Sequence, residues 1–256
     1  MGRYLTYASC VGLLLLSDVR WTSAEEIMRW QVDGETREAI VYAQGENPNG
    51  KELPLVLSFH GYGDNMHNFQ HTDMHLVWPD AVVVYFQGLR TRRGLPGWQV
   101  ESDGDNRDLK LVDRALTSLR ARYNIDENRI YATGFSNGGM FTYLLWAERP
   151  SIFAAYAPVA ARLRPSVQPE QPSPLFHVAG KRDQVVRFSD QETAIKVGVA
   201  VNAVGNARTS CGEDCTVYGP STPTPVMTWI HPGAHVYPRG TTERIVSFFR
   251  DNSRAH

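Results

Sequence analysis

The chain carries almost no net charge, −1 at pH 7 over 256 residues, so it has no electrostatic hold on nucleic acid or on an anionic membrane. It lacks a hydrophobic run long enough to cross a bilayer. The apolar run at residues 8–16 is well short of the roughly 20 residues that about 30 Å of hydrocarbon requires. Internal repeats, low-complexity tracts, an H-E-x-x-H metal pattern and a separate polysaccharide- or polyester-binding module are all missing. Cysteine is scarce, with three residues in all. What remains is an ordinary globular composition, 42% hydrophobic and 21% charged, enough for a sizeable core in a single domain.

The first residues stand apart. Arg3 precedes the apolar run, and Thr22-Ser23-Ala24 supplies small residues, the pattern of a secretory signal peptide over residues 1–24 with the domain at 25–256. Cys10 lies near the start of the apolar run, not behind it, which argues against a lipid anchor. Export leaves two cysteines, Cys211 and Cys215, and an even count outside the cytosol favours a disulfide between them. Zinc lacks two further ligands nearby.

The pattern along the chain alternates. Runs at 27–32 and 37–43 read as strands joined by Asp33-Gly34, a hairpin signal. Apolar strands follow at 53–59 and 81–86, with a polar stretch between them. Residues 108–123 form an amphipathic helix, with Leu109, Val112, Leu116, Leu119 and Tyr123 three or four apart. Strands at 129–133, 153–159, 175–179 and 225–230 alternate with helices at 140–148, 190–204 and 242–250; 165–174 is a proline-rich loop. This order predicts an α/β fold with a mostly parallel sheet covered on both faces and ligands beyond the strands' carboxyl ends.

At one such end stands Gly134-Phe135-Ser136-Asn137-Gly138-Gly139, a G-x-S-x-G motif between a strand and a helix. A serine hydroxyl needs exposure on a tight turn, a base, and donors for the oxyanion it creates. Gly134 and Gly138 leave room beside the crowded serine. The chain order nucleophile, acid, histidine selects Asp183, after the 175–179 strand, and His235, after the 225–230 strand. Asp190 competes as the acid and His231 as the base. The expected oxyanion donors are the backbone N–H groups of Tyr62, in His60-Gly61-Tyr62-Gly63-Asp64, and of Asn137. His60 reads as a structural hydrogen-bonding residue. His67, His71 and His75 recur every fourth position on a polar helix, where a metal is conceivable but a solvated face is the better reading.

Phe59-His60-Gly61-Tyr62-Gly63-Asp64, the 129–140 segment around Ser136, Phe153-Ala154-Ala155, the 180–186 turn and the 233–238 turn together resemble secreted polyhydroxybutyrate depolymerases and feruloyl esterases of the α/β-hydrolase fold, some grouped as carbohydrate esterase family 1. The resemblance runs from about Tyr42 to the C-terminus. It implies ester hydrolysis without metal or organic cofactor, with Ser136, Asp183 and His235 as the triad, and it sets Trp98 near the acyl pocket, where it would stack on an aromatic acyl group or pack on a polyester. The short 165–174 connection implies an open cleft with no large lid. Feruloyl or acetyl esters on polysaccharide lead the substrate classes, ahead of hydroxyalkanoate polyester. A serine peptidase and a non-catalytic binding protein on the same fold are the rivals.

Overall fold

A computed structural model describes residues 23–44, 50–102 and 104–254. The expected signal peptide lies outside them, except that Ser23 and Ala24 open the first strand.

β1 (Ser23–Val32) and β2 (Glu35–Gln44) form the expected hairpin, turning through Asp33 and Gly34, both at positive φ. β3 (Leu53–Phe59) is buried at every position, as a central parallel strand must be. β4 (Val82–Phe86), β7 (Ile125–Phe135), β8 (Ala155–Val159), β9 (Leu175–Gly180) and β12 (Val226–His231) complete the parallel set. Two short strands, β5 (Leu89–Arg90) and β6 (Pro96–Gly97), make a separate hairpin, and β10 (Arg208–Gly212) with β11 (Cys215–Tyr218) makes another. The ten-stranded main sheet runs β1-β2-β4-β3-β7-β8-β9-β12-β11-β10, antiparallel only toward its two edges.

Helices cover both faces. α3 (Arg107–Arg122), α4 (Asn137–Glu148) and α5 (Phe188–Val201) contribute Leu116, Phe141 and Ala194 to one core. α6 (Thr241–Arg250) packs Ile245 and Phe249 into the other. The 64–80 segment departs from the expected solvated helix. It breaks into α1 (Met66–Phe69), a 3-10 turn at Gln70–Thr72 and α2 (Met74–Val77), interrupted at Asp73 with φ 59°. Burial of Met66, Phe69 and Met74 in the second core overrides the four-residue histidine spacing.

Cys211 and Cys215 are joined across the β10–β11 turn. A buried ion pair, Arg37 Nη2 to Asp108 Oδ1 at 2.7 Å, ties β2 to the start of α3. Asp108 Oδ2 also accepts from the Gln99 N–H, so the same carboxylate anchors the loop leading into α3.

Candidate active site

Ser136 sits between β7 and α4 at φ 55°, ψ −114°, a conformation that costs a non-glycine residue about 1–3 kcal/mol. Its N–H donates to the Val159 carbonyl at 2.8 Å. The turn closes because Gly138 has no side chain: a Cβ there would lie 2.1 Å from the Phe59 oxygen.

His235 Nε2 lies 2.9 Å from Ser136 Oγ, and His235 Nδ1 lies 2.7 Å from Asp183 Oδ2. Three residues from the loops after β7, β9 and β12 thus form one hydrogen-bonded chain. The Phe135 ring packs against the imidazole, with centroids 4.9 Å apart. Asp183 is buried and fully engaged. Its Oδ1 accepts the N–H groups of Val185 and Val186, both at 2.9 Å, and its Oδ2 accepts from Gln191 Nε2 as well as from His235. With this set of donors, Asp183 can hold the histidine tautomer that leaves Nε2 free to take the serine proton.

The other candidates lie elsewhere. Asp190 faces Arg162 at 3.6 Å. His231 is buried, its Nδ1 accepts from the Gly233 N–H, and burial lowers its pKa. The His75 ring stacks on Tyr42 and its Nδ1 meets the Tyr85 hydroxyl at 3.1 Å. Among the described residues no group of three or more His, Cys, Asp or Glu side chains could hold a metal ion.

On the oxyanion side, Asn137 opens α4, so its N–H has no acceptor within the helix and lies at the positive end of the helix dipole. The Asn137 side chain is occupied: Oδ1 accepts from the Trp98 N–H at 2.7 Å and Nδ2 donates to the Trp98 carbonyl at 3.3 Å. Tyr62 is exposed, and its hydroxyl donates to the Arg93 carbonyl. His60 is a buried brace. Its Nδ1–H donates to the Gly61 carbonyl and its Nε2 accepts from the Gly88 N–H. Burial pushes its pKa down, which keeps this acceptor available.

Trp98 requires a correction. Its side chain is 2% exposed, its indole N–H donates inward to the His60 carbonyl at 2.8 Å, and its ring packs on Phe59 and Phe141. Neither aromatic face is open to an acyl group. The residue supports the loop at 60–64 and Asn137 from behind.

Gln191 and His177 escaped the sequence reading. Gln191, in α5, is fully buried. Its amide nitrogen donates to Asp183 Oδ2 at 2.9 Å and to the Val186 carbonyl at 2.7 Å. Both partners only accept, so its Oε1 faces His177 Nε2, 3.3 Å away, and His177 Nδ1 in turn accepts from the Tyr143 hydroxyl at 2.7 Å. The signal was present: position 191 falls on the same helical stripe as Ala194, Ile195 and Gly198, where a glutamine is out of place unless it has partners.

A sequence profile of the prolyl oligopeptidase family matches residues 104–165, the segment that contains the Ser136 turn. The bifunctional acetylxylan esterase/xylanase XynS20E of Neocallimastix patriciarum is 33% identical over 174 residues, 64% of this chain and 24% of that protein. Feruloyl esterase B of Piromyces equi is 24% identical over 181 residues, 66% of this chain and 33% of that protein. The chain has the α/β-hydrolase fold and is similar in sequence to these esterases. It spans a third or less of the length of these two relatives. A solved acetyl xylan esterase from Aspergillus awamori superposes on this chain with a TM-score of 0.65 at 12% identity, covering 88% of this chain and 99% of that one, which is a likeness of fold.

Among the described residues, four of the six exposed large apolar side chains belong to loops that carry or adjoin the site residues: Tyr62 and Leu95, Val185 two residues from Asp183 and Val236 next to His235. A cavity of about 930 Å³ opens at the opposite, amino-terminal ends of β8, β9 and β12, lined by Phe153, Pro174 and Pro225, away from this chemistry.

Proposed function

We propose that the protein is a secreted serine esterase that cleaves carboxylic esters by acyl transfer. The observation that carries this reading is the Ser136–His235–Asp183 hydrogen-bonded chain. Ser136 Oγ attacks the ester carbonyl as His235 Nε2 takes its proton. The backbone N–H groups of Tyr62 and Asn137 stabilise the oxyanion, one such donor being worth about 3 kcal/mol. His235 returns the proton to the leaving alcohol, then activates a water that releases the acid. No cofactor enters these steps.

Esters of acetyl or feruloyl groups on polysaccharide are the leading substrates, in keeping with the relatives named acetylxylan esterase and feruloyl esterase. The apolar rim of Tyr62, Leu95, Val185 and Val236 suits an aromatic acyl group. The same rim favours a second reading, polyester depolymerisation, alongside a 49-residue match at 35% identity to the poly(3-hydroxyalkanoate) depolymerase C of Paucimonas lemoignei. Export rests on the leader-like N-terminus and is consistent with the Cys211–Cys215 bond. No helix among the described residues is long and apolar enough to cross a membrane.

The test is hydrolysis of methyl ferulate, p-nitrophenyl acetate and polyhydroxybutyrate by the purified chain beside Ser136→Ala. The variant should lose at least about 10³-fold in kcat. Equal turnover by both proteins would remove Ser136 as the nucleophile, and preference for the polyester would select the second reading.

A further inference from the structure

The distribution of arginines around the candidate site does not follow from the chain's overall charge. About half of the described lysines and arginines meet a carboxylate within 4 Å, and Arg208, Arg244 and Arg250 lie over the rings of Tyr218, Trp229 and Trp78. Seven exposed arginines have neither kind of partner among the described residues: Arg90, Arg92, Arg93, Arg114, Arg182, Arg187 and Arg239. Six of the seven, all but Arg114 on α3, belong to the connections after the carboxyl ends of β4, β9 and β12, the side of the sheet that carries Ser136. In the sheet order, β4 lies to one side of β7, while β9 and β12 lie to the other. The unpaired cations therefore bracket the serine. Among the described residues, the carboxylates on the same connections are already committed. Asp183 holds His235, Glu101 holds Arg164 and Asp105 holds Lys110.

The group on the β4 side is fixed close to the chemistry. The β5–β6 hairpin, which carries Arg90, Arg92 and Arg93, is bound to the oxyanion loop by the Tyr62 hydroxyl on the Arg93 carbonyl and by the Gly63 N–H on the Pro96 carbonyl, both about 3 Å. Its last residue, Gly97, comes so close to Asn137 that a Cβ there would be 2.7 Å from Asn137 Oδ1. These arginines thus stand on a braced ledge next to the residue that follows the nucleophile. The second group flanks the acid and histidine. Arg182 and Arg187 lie on either side of Asp183, and Arg239 follows His235 by four residues.

Uncompensated cations on both sides of a cleft repel one another and attract an extended anion, raising its local concentration. All six are arginines, whose planar forks match carboxylates two bonds at a time. We propose that the natural substrate is an ester on a polysaccharide that bears uronic-acid carboxylates, gripped on both sides of the scissile ester by these two arginine groups. The proposal rests on the esterase reading above and names its substrate class. It also separates the polysaccharide from the uncharged polyester.

The experiment compares acetylated glucuronoxylan with the same polymer after its uronic carboxyls have been reduced to alcohols, with p-nitrophenyl acetate as a small neutral reference. It uses the wild-type chain and the triple variant Arg90→Gln, Arg92→Gln, Arg93→Gln. For the wild type, kcat/KM on the native polymer should exceed that on the reduced polymer by about threefold to tenfold, mostly through KM, and the ratio should shrink toward one in 0.5 M salt. The triple variant should lose most of that ratio. Equal kcat/KM on the two polymers, with p-nitrophenyl acetate still hydrolysed, overturns the proposal while leaving the esterase reading intact. A ratio that survives in the triple variant overturns the hairpin's part in it. Sedimentation with phosphatidylglycerol vesicles without any polymer preference assigns the arginines to a lipid surface instead. Failure to hydrolyse any of the three esters removes both readings.

Discussion

Gln191 offers the sharpest test of how the acid is held. The perturbation is Gln191→Met, which keeps the length and flexibility of the side chain and removes every hydrogen bond. Three are lost: those to Asp183 Oδ2 and to the Val186 carbonyl, and the one accepted from His177 Nε2. The His177 N–H and the Val186 carbonyl are then buried without partners, and each such orphan costs about 1–3 kcal/mol. We therefore predict a loss of about 2–4 kcal/mol in denaturant-derived stability. Asp183 keeps two backbone donors on Oδ1 and His235 on Oδ2, so catalysis should weaken without being abolished. A charge-assisted hydrogen bond is worth about 1.5–3 kcal/mol. If half of that restrains the carboxylate as the imidazolium forms, kcat falls about tenfold while KM stays within about twofold. Gln191→Glu provides the control: it restores an acceptor for His177 but sets a second carboxyl where the amide nitrogen stood, 2.9 Å from Asp183. Like charges so close do not both ionise. That variant should lose stability as pH rises from the unfolded glutamate value through the pair's own titration. The assay is equilibrium denaturation with steady-state kinetics on p-nitrophenyl acetate. A Gln191→Met protein that loses the predicted stability yet keeps kcat within twofold would refute the positioning role and leave Gln191 as core packing alone.

Three further predictions come from other parts of the fold. Gly138→Ala must part α4 from the Phe59 carbonyl by about 1 Å, since its Cβ would start 2.1 Å away; kcat/KM should drop about 100-fold with a stability loss of about 1–3 kcal/mol, and a drop of less than threefold would show that the turn yields easily. Asp108→Asn strips the counter-charge from buried Arg37 and should cost about 3–5 kcal/mol by denaturant unfolding, whereas Arg37→Met with Asp108→Leu should recover most of it; near-equal values for the two proteins would contradict this account. Burial lowers the His177 pKa to about 4 from an unfolded value near 6.5, so the unfolded chain takes up the extra proton first as pH falls. Stability should then be fully present above about pH 6.5 and decline by at most about 3 kcal/mol down to pH 4, a slope that melts of wild type beside His177→Gln would isolate.

The chain's pattern carried the sheet and most helices because those elements are defined by local periodicity and by the burial of whole runs. Strands at 53–59 and 175–179 and the helix at 108–123 coincide with β3, β9 and α3 within a residue or so. The β5–β6 and β10–β11 hairpins were not legible. A strand of two residues has no period, and β10 is largely exposed, so no apolar alternation marks it. The histidine spacing at 67, 71 and 75 misled for the opposite reason: it matches a helix that tertiary burial of Met66, Phe69 and Met74 cuts in two. Ser136, Asp183 and His235 were nameable because strand-end position and chain order single them out. Gln191 and His177 act through contacts made across the fold, from a helix and a strand interior, and only the misplaced polarity of each hinted at a partner.

Trp98 and Asn137 show why residue type alone cannot assign a role at such a site. An aromatic residue beside a catalytic loop suggests a stacking platform, and an asparagine after the nucleophile suggests a side-chain oxyanion donor. Here each satisfies the other. The Asn137 amide spans the Trp98 backbone with both its donor and its acceptor, and the Trp98 indole reaches back to the His60 carbonyl. With the amide side chain committed, what Asn137 can offer a developing oxyanion is its backbone N–H, which the start of α4 leaves without an intrahelical partner. A separate bond, from the Tyr62 hydroxyl to the Arg93 carbonyl, fixes the loop containing Tyr62 against the hairpin containing Arg93. The oxyanion side is thus braced from three separate stretches of chain, around residues 60, 97 and 137. Loosening any one of them, for instance by Trp98→Phe, which keeps the ring packing and deletes the indole N–H, should lower kcat more than it raises KM. An unchanged kcat with an intact fold would mean that the brace is redundant.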